Sequence, residues 1–416
     1  MIATLLAIAA LAPVQDDGPA DLFDWARKLD DLDKRWSRGE FELQLGGEAV
    51  LEFFAFGREA PGVAVEDPAL RSDRYRRNKP ADRPEFDGRL DLVLDAFYGK
   101  WLAASVDGRI DGTTGGQGVV GERFEQYWLR LMIPGEPAFN LQAGKFSAPI
   151  GNFIERHDPR RNPLTTWPLA YDDVTAFTGL GQGPCALTAN RDKPDFKDWY
   201  VPIWREVYGH GAMAFGAVND FTYAVAVMSS APGTLPWDWT VRSRDFRSPN
   251  LYLHGSYAPD ISTKVGATWS RGPYDHENAS DVPPGRHAGD FPQTLAGVDL
   301  SFARGSLEMW AEAYWTRFES PDVDVLDLWT WYVEAKYSLL PGLFGALRVA
   351  QIFFGDAKDA SGQEHQWDRD LTRLEIGGGY FFTRNLFAKA TVQVNLTMGG
   401  RDPADNMLMI QLGLTF

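Results

Sequence analysis

The chain has 416 residues, a formal net charge of −16 and one cysteine, Cys185. No apolar run reaches the roughly 18 residues that a transmembrane helix needs, which excludes an ordinary helical membrane protein. The acidity disfavours nucleic acid as a partner, because phosphates bind to basic surfaces. The lone cysteine excludes an internal disulfide framework, and the six histidines are scattered without metal-ligand spacing. We therefore expect no metal site and no cofactor.

The chain opens with "MIATLLAIAALAPVQ". Its apolar core has about a dozen residues, the length of an export signal and too short to span a bilayer. Small residues at Ala10 and Ala12 have the spacing of a cleavage site. We predict a signal peptide over residues 1–15, with a buried N-terminal helix as the alternative. An exported chain functions outside the cytoplasm.

Residues 16–39 contain the one clear helical period of the sequence. Apolar side chains follow one another at spacings of three and four, at Leu22, Trp25, Leu29, Leu32 and Trp36. We predict a short periplasmic helical segment that docks on the following domain. A trimer-forming or pore-plugging role is the alternative.

From residue 40 onward the period changes to two. In "SLEMWAEAYWT" (306–316) and in the final "MLMIQLGLTF" (407–416), apolar side chains alternate with polar or mixed ones. Each such run has about ten residues, the length of a tilted strand that crosses a bilayer. One strand alone would also fit a soluble sandwich, so the choice depends on how the strands are connected.

The connections between these runs alternate in length. Short turns rich in Gly, Pro, Asn and Asp lie at 98–100, 134–137, 219–220, 259–260, 304–305, 341–342 and 384–385. Long polar loops lie at 58–85, 109–120, 147–208, 230–248, 271–291, 318–326, 355–368 and 397–405. Seven turns and eight loops join sixteen strands and put both ends of the barrel domain on one side.

The sequence therefore predicts an all-β protein, a 16-stranded antiparallel transmembrane β-barrel over residues 40–416. A closed barrel has no free edge, so the last strand pairs with the first. Phe416 would then lie at the membrane interface. Trp315, Trp329 and Trp331 would belong to the aromatic girdle there.

With these features the sequence resembles bacterial outer-membrane porins. The stretch "LQAGKFSAPIGNF" (141–153) resembles a segment of the phosphate-selective porin O and P family that leads from a strand into the constriction loop. The resemblance implies a location in the outer membrane of a diderm bacterium and contact with lipid and lipopolysaccharide. It also implies a homotrimer, and a loop after the fifth strand, here 147–208, that narrows the pore.

The lumen of such a barrel is lined by polar side chains. The predicted inward positions are acidic on balance, unlike the rows of Arg and Lys in that family, so the resemblance is carried over for the fold and the pore but not for the anion preference. The candidate pore-wall residues are Asp87, Arg89, Asp91, Asp95, Arg130, Glu308, Glu312, Glu334, Lys336, Arg348, Arg373, Glu375 and Lys389.

The long loop contains a cluster of charges in "IERHDPRRNPLTTW" (154–167). Its candidate constriction residues are Glu155, Arg156, His157, Asp158, Arg160 and Arg161. Two interpretations stay open for this cluster. The arginines are either pore-facing bases that set ion selectivity, or parts of a salt-bridged knot that anchors the loop to the wall.

The function expected from these patterns is passive diffusion of small polar solutes and ions through a water-filled pore, without enzymatic activity. A substrate-selective channel for phosphate, other anions or sugars is the alternative. The basic stretch 71–79 would attract anions or lipopolysaccharide, and inward aromatic residues would stack on sugars: Trp101, Trp128, Tyr252, Trp310, Tyr314 and Tyr332. Three other classes of protein are alternatives: a structural barrel, a gated transporter, and a hydrolase that uses His254 and Ser256. A gated transporter is disfavoured because too few residues lie between the predicted signal peptide and the first strand to form a plug domain.

Overall fold

The computed structural model describes residues 35–56, 85–113, 120–135, 137–173, 175, 177, 200–234, 247–275, 282–321, 323–358, 362–397 and 406–416. The predicted signal peptide, most of the predicted helical segment, Cys185 and the basic stretch 71–79 lie outside these residues. Strands are numbered β1–β19 in chain order. All but β15 and β16 belong to one sheet, and all strands of that sheet except β1 form a closed ring.

The ring contains sixteen of the described strands, as the sequence predicts. The first eight are β2 (Phe41–Phe56), β3 (Glu85–Tyr98), β4 (Leu102–Thr113), β5 (Val120–Met132), β6 (Asn140–Ser147), β7 (Tyr208–Val218), β8 (Phe221–Met228) and β9 (Asn250–Asp260). The other eight are β10 (Thr263–Pro273), β11 (Pro292–Arg304), β12 (Leu307–Ser320), β13 (Asp324–Leu340), β14 (Leu343–Phe354), β17 (Leu371–Phe381), β18 (Leu386–Thr397) and β19 (Met407–Thr415). Every neighbouring pair in the ring is antiparallel.

The ring closes where β19 pairs with β2. The register runs from Met407 opposite Phe56 to Thr415 opposite Glu48. Beyond the last pair, the backbones of Phe416 and Gly47 exchange two hydrogen bonds of 2.9 Å. The final strand therefore has a partner along its whole length, and the predicted pairing of last strand with first is confirmed.

The first described strand, β1 (Arg35–Arg38), extends this seam. The chain turns back at Gly39, which has φ +64°, so that β1 pairs with residues 41–44 of β2. These residues of β2 lie beyond the end of the C-terminal strand. The end of the predicted helical segment is thus a strand rather than a helix. Pairing with β2 explains the strand conformation, because the first residues of β2 would otherwise present unpaired backbone groups along that edge.

Side chains alternate along each ring strand between an apolar outer face and a polar inner face. On β3, Phe86, Leu92 and Leu94 point outward and are exposed, whereas Asp91 on the opposite face is buried. On β19, Leu408, Ile410 and Leu412 point outward and Gln411 points inward. This alternation is typical of a barrel whose outer face contacts hydrocarbon.

Aromatic side chains cluster at both ends of the outer face. Trp315 and Trp329 lie 6.4 Å apart near the long-loop ends of β12 and β13. At the short-turn end, Trp101 packs edge-on against Tyr98 at 5.5 Å. Trp101 is 42% exposed in this turn, so it belongs to the outer aromatic girdle and not to the lumen, contrary to the sequence-based expectation.

Several loops are shorter than their composition suggests. Strands β12 and β13 continue to residue 320 and from residue 324, so the predicted loop 318–326 shrinks to 321–323. An outward ion pair between Arg317 and Asp327, with two bonds of 2.8 Å, holds these extensions together. The predicted loop 355–368 contains a small hairpin of β15 (Asp356–Lys358) and β16 (Glu364–Gln366).

Gly47 tests the importance of the seam. A Cβ added there would lie 2.5 Å from the carbonyl oxygen of Asp91 and 2.5 Å from the Phe416 ring, whereas one added at Gly46 would meet only a carbonyl oxygen at 3.4 Å. We expect Gly47→Ala to destabilise the barrel by about 1–3 kcal/mol through overpacking, and Gly46→Ala to have little effect. The measurement is the temperature at which the folded barrel converts to the unfolded gel mobility in SDS. Equal temperatures for both variants would contradict this role.

Candidate pore constriction

The connection between β6 and β7, residues 148–207, is called the inner loop here. It follows the fifth strand of the ring, as predicted. Its described part contains a 3-10 turn at Ile154–Arg156 and one helical turn, α1 (Leu169–Asp172). It bonds to inward side chains of strands far away in sequence, so it folds into the barrel rather than over its rim.

Two glycines allow the chain to enter the barrel. Gly144 on β6 has φ +138°, and a Cβ there would lie 2.2 Å from the carbonyl oxygen of Tyr127. Gly151, with φ +53°, sits so close to the wall that a Cβ would lie 2.2 Å from a carboxylate oxygen of Glu312. Both belong to the segment 141–153 that carries the family resemblance. In that segment both glycines permit a positive φ and a close approach of neighbouring atoms that a Cβ would prevent.

The first anchor of the inner loop is Glu312 on β12. Its Oε1 accepts hydrogen bonds from the backbone N–H groups of Asn152, at 2.6 Å, and Phe153, at 2.8 Å. Its Oε2 accepts one from the Tyr171 hydroxyl at 2.7 Å. The carboxylate is 2% exposed, so the loop covers it and supplies its hydrogen bonds.

The second anchor is a ladder of buried charges. Glu334 on β13 accepts hydrogen bonds from Arg156 of the inner loop and from Arg348 on β14, the latter at 2.7 Å. Arg348 also donates to Glu375 at 3.0 Å and to the carbonyl oxygen of Thr166 at 3.1 Å. Glu334, Arg348 and Glu375 are fully buried. Buried charges of this kind are stable only when every partner is present.

The third anchor uses backbone carbonyls. Lys389 on β18 donates to the carbonyl oxygens of Asn162, at 2.8 Å, and Leu164, at 3.1 Å, and to that of Pro159. Nearby, Arg373 lies 3.4 Å from Asp172 in α1. Burial raises the pKa of Asp172 above its usual value, although Arg205 and Arg373 act against that rise.

Apolar packing fills the space between the inner loop and the wall. Phe153 stacks near Trp167 and Tyr171, with ring centroids 5.2 and 5.1 Å apart. Inward residues near the long-loop ends of several ring strands belong to the same core, among them Leu295, Phe318, Leu326, Leu328 and Ile352. This part of the barrel interior is therefore packed core and not open lumen.

The inner loop also contacts the opposite wall. Glu206 lies 3.8 Å from Arg109 on β4, which is also paired with Asp91 at 2.5 Å and Glu125 at 3.5 Å. Burial raises the pKa of Glu206, but His157 and Arg109 outweigh it and hold the pKa below its ordinary value. At least six strands separate β4 from β13 in either direction round the ring, so the described part of the loop reaches across the lumen.

A cavity of about 640 Å³ remains between the inner loop and the short-turn end of the ring. We call it the basic cavity, because six bases and only two acids line it: Arg156, Arg160, Arg161, Lys264, Lys336 and Arg384, with Glu155 and Glu308. Lys264 and Lys336 are paired with these acids, at 3.7 and 2.8 Å. Trp310 and Phe381 supply apolar surface.

The structure divides the predicted constriction residues. Arg156 is buried in the anchoring ladder, which fits the knot interpretation. Glu155, Arg160 and Arg161 are exposed and line the basic cavity, as pore-facing groups would. His157 and Asp158 are partly buried on the other side of the loop, where His157 lies 3.6 Å from Glu206.

The predicted wall residues lie on the inner face of the ring and separate into two groups. Seven are buried: Asp91, Glu312, Glu334, Arg348, Arg373, Glu375 and Lys389. All of these except Asp91 lie in the wall beneath the inner loop. The others keep some exposed surface: Asp87, Arg89, Asp95, Arg130, Glu308 and Lys336. The alternation of strands predicts the inward face but not which inward residues the loop covers.

Sequence reasoning missed several residues of this region. Arg109 lies in the predicted loop 109–120, whereas β4 continues to Thr113 and places Arg109 on the same inward face as Asp107. Arg384 is in a short turn, where no periodicity applies. Glu206 and Asn162 act from the inner loop, and no spacing rule points to them.

The residues proposed for a hydrolase do not assemble into a catalytic group. His254 Nδ1 lies 2.9 Å from the Thr268 hydroxyl, and Ser256 Oγ lies 2.6 Å from the Thr222 hydroxyl. Within the part of the chain that the structure describes, no group of three or more His, Cys, Asp or Glu side chains is arranged to hold a metal ion. In the same residues, no helix is long and apolar enough to cross a membrane.

The architecture is similar to that of solved bacterial porins. OmpF of Salmonella typhi, in complex with daunomycin, matches with a TM-score of 0.57 and 12% identity over 92% of this chain and 100% of that one. The outer membrane channel DcaP of Acinetobacter baumannii matches at 0.56 and 14%, over 91% and 99%. An anion-selective porin of Comamonas acidovorans matches at 0.53 and 10%, over 90% and 99%.

The identities in these matches are low, so they establish a shared fold. No protein-family profile matches the chain, and no curated protein matches its sequence.

Glu334 tests the anchoring of the inner loop. Glu334→Gln leaves Arg156 and Arg348 without their shared counter-charge, which should cost about 3–5 kcal/mol of loop docking. We expect faster cleavage within the inner loop by an added protease. Glu308→Gln is the matched control, because its pair with Lys336 is partly exposed and contributes little. The anchoring role fails if both variants are cleaved at the wild-type rate.

Proposed function

We propose that the protein is a porin of the bacterial outer membrane through which small polar solutes and ions diffuse passively. The observation that supports this most directly is the inner loop, which narrows a closed barrel with an apolar outer face without a separate plug domain among the described residues. Solved porins and outer-membrane channels share this fold. Its partners are then outer-membrane lipids, lipopolysaccharide and the passing solutes.

Trimer formation belongs to the same proposal. One structure with this fold, OmpT of Vibrio cholerae, is described as a trimer form, with 10% identity to this chain and a TM-score of 0.53. Membership of the phosphate-selective porin O and P family is likewise a proposal, supported by the position of segment 141–153 before the inner loop.

The basic cavity favours anions over cations as the preferred ions. Of its bases, Arg160 and Arg384 make no ion pair with any described residue. Arg161 lies 3.9 Å from Asp158, but its side chain is 67% exposed. A sugar channel has less support, because Tyr252, Tyr314 and Tyr332 are at most 1% exposed and cannot stack on a solute.

Reconstitution into planar bilayers tests the pore. We expect stepwise conductance increases and swelling of liposomes in small sugars, because an open lumen passes uncharged solutes as well as ions. A sealed structural barrel would give neither signal, and that result would overturn the proposed function.

Ion selectivity tests the charge of the constriction. We expect Arg160→Gln combined with Arg161→Gln to shift the reversal potential in asymmetric salt toward cation preference, because two exposed bases leave the lumen. Arg156 is left intact because it anchors the loop. A double variant at two outward or rim arginines, Arg38 and Arg304, keeps the net charge change and should leave the potential unaltered. An unchanged potential in the lumen variant would exclude these arginines as selectivity determinants.

A further inference from the structure

The basic cavity differs from a simple ring of charges, because aromatic side chains line it together with the bases. Trp310 on β12 and Phe381 at the end of β17 both line it. The Arg156 guanidinium stacks 4.4 Å from the centre of the Trp310 ring and fixes that ring in place. Phe381 is held by Phe344 and Phe387, with centroids 5.8 and 5.7 Å away. Both rings are therefore packed against neighbouring side chains.

Three arginines besides Arg156 line the same cavity, and one of them, Arg161, lies 3.9 Å from the Asp158 carboxylate. Arg160 and Arg161 approach it from the inner loop, and Arg384 approaches it from the turn between β17 and β18. Arg161 is held by the carbonyl oxygen of Glu155 at 3.0 Å, which still leaves guanidinium N–H groups available. Bases that arrive from two different elements can contact one anion from two sides.

The charge of the cavity lining is opposite in sign to the net charge of the chain. The chain as a whole has a formal charge of −16, whereas the described lining of the cavity has six bases and two acids, and one of these bases, Arg156, is neutralised by Glu334 in the wall. An anion is therefore repelled by much of the protein and attracted here. A volume of about 640 Å³ accommodates an organic molecule and is far more than a hydrated inorganic ion requires.

We infer that the basic cavity binds organic anions that carry a flat apolar group, such as aromatic sulfonates or carboxylates. The arginines pair with the acidic group, and Trp310 and Phe381 contact the ring. The inference rests on the proposed function in treating this anion as a transported solute. It goes beyond that function by naming the solute class and by placing the site at the short-turn end of the constriction.

Titration calorimetry on the full-length, folded barrel in detergent tests the site. The probes are 2-naphthalenesulfonate and methanesulfonate, which share the sulfonate but differ in the ring. We expect the naphthalene compound to bind at least tenfold more tightly. Titration into empty micelles corrects for partitioning of the probe into detergent. Equal affinity for both probes would overturn the assignment of an apolar component.

A matched pair of variants locates the site. Arg384 and Arg304 both lie in short turns at the same end of the ring, but only Arg384 lines the cavity. We expect Arg384→Gln to weaken binding of 2-naphthalenesulfonate about tenfold, the loss of one charge-assisted hydrogen bond, and Arg304→Gln to leave it unchanged. Equal affinities of the two variants would contradict the assigned location. Phe381→Leu should reduce the preference for the naphthalene probe while leaving methanesulfonate binding intact.

The calorimetric result is separable from the pore test, because binding in detergent does not require conduction. A barrel that conducts ions but binds both probes alike would refute the inference and leave the proposed function standing. A barrel that binds the naphthalene probe but does not conduct would refute the proposed function and leave the site in place.

Discussion

Every backbone N–H and C=O that faces hydrocarbon must find a partner within the protein, and the rest of this structure depends on that constraint. A sheet meets it only when it closes, so β19 pairs with β2 and the backbone of Phe416 bonds to Gly47. Strand β1 continues the seam where the C-terminal strand stops. Closure in turn fixes the alternation of side chains, because a slip of one residue would turn charged side chains toward lipid.

A closed barrel of sixteen strands encloses more space than its own inward side chains can fill. The inner loop fills part of it, and the contacts that hold it are mainly charged. Glu312, Glu334 and Lys389 each bond to more than one group of the loop or its neighbours. Buried ions cost desolvation energy, so such anchors contribute less to stability than their number suggests. Their directional bonds hold the described part of the loop against the barrel wall.

The parts of the fold that follow from local periodicity could be predicted from the sequence: the strand number, the seam, the inward face and the position of the inner loop. The parts that depend on long-range contact could not. Glu334 and Glu308 occupy the same inward face and look alike in the sequence, yet one is buried and the other lines a cavity. Trp101 lies in the outer girdle because turn residues do not follow the strand alternation.

The inner loop presents two nearby arginines to different surroundings. Arg156 and Arg160 are four residues apart, but a 3-10 turn and the following bend direct them to different surroundings. Arg156 meets Glu334 and is neutralised in the wall, whereas Arg160 has no acidic partner among the described residues and lines the cavity. Because the anchored arginine fixes the turn, it also fixes where the free arginine is presented. A change in loop docking must therefore change the electrostatic field that a passing ion experiences.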